Sequence, residues 1–80
     1  MFTNELKKGD QVILSNGWTA EIFDNARGNT RIAKVYGFET EIGSVYSHDI
    51  AWCVKDGQTI KVEHTPAQIK LRKQVRAMGM

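Results

Sequence analysis

Gln11-Val12-Ile13-Leu14-Ser15-Asn16-Gly17-Trp18-Thr19-Ala20-Glu21-Ile22-Phe23-Asp24 decides the fold. Gln11 to Leu14 is a short β-rich run. Asn16-Gly17 follows it, and that dipeptide is a strong hairpin signal because both residues tolerate positive φ. The next segment then alternates. Trp18, Ala20 and Ile22 fall on one face, and Thr19, Glu21 and Phe23 on the other. Two half-buried antiparallel strands joined by a tight turn account for all three observations.

The same grammar continues on both sides. Lys7-Lys8-Gly9-Asp10 is a turn leading into the first strand. Downstream, Asp24 to Thr30 is a polar connection with Gly28-Asn29 as a turn signal. Arg31 to Tyr36 alternates, and Gly37 breaks the pattern. Phe38 to Val45 reads as a bent strand interrupted at Gly43. Ser47-His48-Asp49 reads as a polar turn in which Ser47 or Asp49 bonds nearby backbone. Ala51 to Lys55 and Gln58 to Val62 flank Asp56-Gly57, another hairpin turn. Five or six short strands in so short a chain favour a small barrel over a two-sheet sandwich.

At Thr65 the character changes. Residues 1–64 hold seven Lys/Arg against nine Asp/Glu, a net charge of −2; residues 65–80 hold Lys70, Arg72, Lys73 and Arg76 and no acid, +4. Thr65-Pro66-Ala67-Gln68 predicts a helix start: a capping threonine, proline in the first turn and glutamine to complete a capping box. At about 100° per residue, Ala67, Leu71, Val75 and Met78 form one stripe, expected to pack on the barrel. The four cations, with Ile69 among them, fan around the other side, and Gly79 ends the helix.

Several chemistries are poorly supplied. Tyr46-Ser47-His48-Asp49 holds Ser, His and Asp, but adjacent residues cannot place an imidazole between the other two side chains. His48, His64 and Cys53 lack metal-ligand spacing, His64 being expected to pack at the helix start. Glu39 and Glu41 share one side of a strand, as solvent-facing carboxylates commonly do. No glycine-rich phosphate loop occurs. The one cysteine, Cys53, sits in the apolar run Ile50 to Val54 and reads as a buried hydrophobe; its solitude suits a reducing compartment. Neither a membrane span nor a secretory leader is visible, so the expected location is cytoplasmic.

Lys8 to Leu14 followed by Asn16 to Ile22 resembles the opening of KOW-type small β-barrels, with a Gly-Asp turn, a strand, a hairpin and a second strand. Ala20 stands where the KOW glycine is expected, a departure from the pattern that carries RNA or ribosome binding in those proteins. The whole chain, through Thr40-Glu41-Ile42-Gly43-Ser44-Val45-Tyr46-Ser47-His48-Asp49-Ile50 above all, resembles small uncharacterised proteins of tailed bacteriophages. That resemblance implies no activity. It implies an accessory or host-directed binding protein acting in the host cell cytoplasm.

The expectation is a mostly β protein: a small antiparallel SH3-like barrel of five or six strands over residues 1–64, with a basic amphipathic C-terminal α-helix over 65–80. Expected function is non-enzymatic, without cofactor or metal, as a protein-binding accessory or regulatory module. The alternative is nucleic-acid binding through the basic helix. Candidate contacts for either partner are Lys70, Arg72, Lys73, Arg76, Arg27 and Arg31.

Overall fold

The computed structural model describes residues 1–24 and 30–77. Arg27, the Gly28-Asn29 turn, Met78 and Gly79 lie outside the described residues. Six antiparallel strands form one sheet: β1 (Gln11–Leu14), β2 (Thr19–Asp24), β3 (Thr30–Tyr36), β4 (Thr40–Tyr46), β5 (Ile50–Lys55) and β6 (Gln58–Lys61). A helix, α1 (Pro66–Ala77), follows. The spatial order is β4-β3-β2-β1-β5-β6. The mostly antiparallel β domain with a C-terminal helix is as expected. The sheet remains open, with β4 and β6 as its two edges.

The turn chemistry explains the strand ends. Gly17 takes φ +90° and donates its N–H to the Leu14 carbonyl, while Asn16 Oδ1 accepts from the Trp18 N–H at 3.0 Å. Asp56 and Gly57 both take positive φ, 51° and 75°, which suits the twist of the β5–β6 hairpin. Gly43 does not interrupt β4. It pairs with Ala33 in an unshifted ladder that runs from Thr30–Tyr46 to Tyr36–Thr40.

Alternation puts the core on one face. Val12 and Leu14 of β1, Ala20 and Ile22 of β2, Ala33 of β3 and Cys53 of β5 are buried and connected by register, since Val12 opposes both Ala20 and Cys53, and Ile22 opposes Ala33. A register shift at Ile13/Leu14 lets Ile50, three residues before Cys53, face the same way. Leu6 and Val62 complete the core from the flanking segments. Burial raises the Cys53 thiol pKa, and Asp10 adds to the effect against the opposing charges of Lys55 and the N-terminus, which suits a packing residue.

The helix start is the predicted one. The Thr65 N–H bonds Gln68 Oε1 at 2.9 Å, and the Gln68 N–H bonds Thr65 Oγ1 at 3.2 Å. Its docking face differs from the expected stripe. Ala67 is exposed, whereas Gln68, Ile69, Leu71, Arg72 and Val75 are half-buried, and no helix residue is fully buried. The helix rests mainly on the 3-10 turn Ser47–Asp49. That surface is polar, so a mixed face meets it. Gln68 Nε2 donates to the buried Thr3 hydroxyl at 2.9 Å, which fixes the helix rotation through a hydrogen bond.

Candidate functional site

The five candidate cations among the described residues do not form one surface. Lys70, Lys73 and Arg76 are exposed on α1, while Arg72 is half-buried against the domain. Arg31, expected as a contact beside a turn, is a correction: it is 1% exposed. Its Nη1 donates to the Thr30 carbonyl at 2.8 Å and the Ser47 hydroxyl at 3.1 Å, and its Nη2 donates to Asn4 Oδ1 at 3.0 Å. Burial lowers its pKa, yet a guanidinium stays charged in proteins. Arg31 therefore ties the N-terminal segment and the 3-10 turn to β3.

Ser47, which bonds that cation, and the next residue, His48, are both buried. The polar turn is real, but its bonds reach distant partners. Ser47 accepts from Arg31, Asp49 Oδ1 accepts from the Ser15 hydroxyl at 3.3 Å, and the Asp49 carbonyl accepts from the Ser15 N–H at 2.7 Å. His48 stacks on Tyr46 with ring centroids 4.9 Å apart, and its Nδ1 has no hydrogen-bond partner among the described residues. Both the serine and the histidine of this turn are closed to solvent. His64, half-buried at the helix start, sets its Nε2 2.9 Å from the Ile50 carbonyl.

Desolvation lowers the His48 pKa from 6.5; Asp49 opposes that, while Arg72, His64 and Arg76 reinforce it. The folded state thus releases this proton more readily than the unfolded chain does. Stability from the neutral imidazole is complete above the unfolded value near 6.5 and declines as pH falls from there toward the folded pKa. The thermal midpoint is expected to drop between about pH 7 and pH 5.5, before most carboxylates titrate. His48→Gln should flatten that slope. A wild-type midpoint constant across this window would overturn the neutral, buried assignment.

The other end of the sheet is built differently. Thr19 pairs with Tyr36, which places Trp18 beside the β3–β4 turn Gly37-Phe38-Glu39. The Trp18 ring lies against Gly37, where an added Cβ would meet ring carbons at 2.4–2.8 Å; only glycine permits this approach. Phe38 meets Trp18 edge to face at 5.5 Å, yet is itself 97% exposed. Trp18, Phe38, Glu39 and Glu41 line a cleft of about 250 Å³. Among the described residues, neither carboxylate belongs to an ion pair.

Beside this cleft runs β4, exposed throughout except for half-buried Val45. Ile42 lies across from Lys34 and is 62% exposed. Register sets Tyr36, Thr19, Ile13, Trp52 and Lys61 in one row across the outer face, with Tyr36 and Trp52 both partly exposed.

The two edges also differ in protection. β6 has four residues, and just beyond it Glu63 forms a parallel bridge with Phe2, its N–H bonding the Met1 carbonyl. β4 has seven residues, no lysine, no proline and no register shift against β3. These are the usual devices that keep an edge from pairing with another chain, and β4 lacks all three.

Among the described residues, no helix is long and apolar enough to cross a membrane, and no three His, Cys, Asp or Glu side chains gather as a metal site. No family model matches the chain, and neither a curated protein nor a solved structure matches it.

Proposed function

We propose that this protein is a non-enzymatic protein-binding module, accessory or regulatory in role, whose docking surface is the β4 edge and the turn that precedes it. The observation that carries the reading is the unprotected edge: seven exposed or half-exposed residues in unbroken register, flanked by the uncovered side chains of Phe38 and Ile42. An open edge offers N–H and C=O groups to an added strand, and neighbouring apolar side chains supply area and specificity. Under the bacteriophage resemblance, the partner is a host or viral protein.

A second reading, nucleic-acid binding, draws support from Lys70, Lys73 and Arg76, which remain exposed on one helix. With Arg72 half-buried, three phosphate contacts on duplex DNA would give a log–log salt slope of roughly −2.7.

One experiment separates the two. Capture is compared from lysate with and without nuclease treatment, by wild type, Ile42→Lys and a Lys73→Glu/Arg76→Glu double variant. Under the first reading, Ile42→Lys abolishes capture, nuclease has no effect, and the double variant still binds. Capture that survives Ile42→Lys but is lost with nuclease and the double variant overturns it. Ile42 is largely exposed, so its replacement should leave the thermal midpoint within about 0.5 kcal/mol of stability change.

A further inference from the structure

We infer that the cleft between Trp18, Phe38, Glu39 and Glu41 receives a lysine or arginine side chain from an extended partner segment that pairs with β4. The inference rests on the docking surface proposed above and names the chemistry of what docks there.

Three features converge. First, two aromatic rings line the same opening, and a cation is attracted to an aromatic face within about 6 Å of its centroid. Phe38 is nearly fully exposed and has no protein neighbour covering it apart from the edge contact with Trp18. Second, Glu39 and Glu41 border that opening without a cation of their own among the described residues. The closest basic residue on the adjoining strand is committed elsewhere: Lys34 Nζ lies 5.8 Å over the Tyr36 ring, and register puts Lys34 on the face with Ile42, opposite to that of Glu41. Third, the opening of about 250 Å³ falls just short of the about 300–1,000 Å³ typical of small-molecule pockets, so it suits one long side chain.

The cleft's position decides the form of the partner. Glu41 belongs to β4 and Glu39 immediately precedes it. A strand added along β4 sends alternate side chains to the Glu41 face, so one residue of that strand reaches the cleft while its backbone bonds the edge. A phosphate backbone would meet two carboxylates and be repelled, which separates this end of the molecule from the cationic helix.

The test uses isotope-labelled full-length protein and synthetic β-branched peptides, identical except for a central lysine, arginine, norleucine or glutamate. Amide and indole NMR shifts are followed during titration. The lysine and arginine peptides are expected to move the Trp18 indole and the Thr40 to Tyr46 amides. Their affinity should exceed that of the norleucine peptide by roughly fivefold or more, and fall with salt. Phe38→Ala and Glu39→Gln/Glu41→Gln should each remove that preference while leaving the rest of the spectrum in place, since these side chains are exposed. If all four peptides move β4 equally, edge docking stands and the cation site is wrong. If no peptide moves β4 at any concentration, both the cation site and the docking surface fail. A phosphodiester oligonucleotide that moves Trp18 and Phe38 would also overturn the assignment.

Discussion

Arg31→Ala is expected to cost about 3–5 kcal/mol in chemical denaturation, the largest loss for any single cation among the described residues. The guanidinium is closed to water and shares its donors among the Thr30 carbonyl, Ser47 and Asn4. Truncation leaves acceptors without a donor and opens a void that the short neighbours Ser47 and Asn4 cannot fill. Domains hold roughly 0.05–0.15 kcal/mol per residue, about 4–12 kcal/mol for an 80-residue chain, so this loss takes a large share of the stability. Arg31→Lys should recover little, because one ammonium cannot reproduce a planar fork that reaches two side chains and a carbonyl. An Arg31→Ala variant with an unchanged denaturation midpoint would show that the guanidinium is solvated and that the 3-10 turn stands without it.

The local fold was legible because each signal is carried by adjacent residues. Asp56-Gly57 announces its own positive φ angles, Thr65 and Gln68 announce their reciprocal bonds, and Val12, Leu14, Ala20 and Ile22 announce their buried face by alternation. What the sequence hides is which distant residues meet. A lone arginine at the start of a strand reads as a solvent-facing cation; its burial depends on Asn4 and Ser47, 27 and 16 residues away. The helix face is legible only in part for the same reason: Leu71 and Val75 are half-buried as the stripe predicts, while Ala67 is exposed and Gln68 and Arg72 turn inward. Periodicity assumes an apolar floor, but the surface beneath α1 holds Thr3, Ser47 and His48. The cleft lay one step further off. Glu39 and Glu41 could be seen to share a side, but Trp18 joins them only through the β2–β3 register. A signal was present: pairing the two alternating runs antiparallel brings Trp18 beside Gly37, the one residue there small enough to accept the ring.

Ile22→Ala is expected to cost about 2–5 kcal/mol, while Ile42→Ala costs less than about 0.5 kcal/mol. Both residues are isoleucines in the same sheet, and the deleted atoms are the same. Ile22 is fully buried, sits next to a register shift and faces Ala33, with Ala20 two residues away on the same face. Alanines have no side chain to swing into the space, so the cavity persists and the cost lies well above simple transfer. Ile42 is 62% exposed on an edge strand with no strand beyond it, and truncation opens no cavity. The order should reverse for binding: Ile42→Ala weakens partner capture in a fully folded protein, and Ile22→Ala lowers it only in proportion to the folded fraction. Denaturation curves for the two variants, set beside their capture at matched folded concentration, give both comparisons. If Ile42→Ala destabilised the domain as much as Ile22→Ala, β4 would be covered by the protein itself, and the edge would not be free to receive a partner.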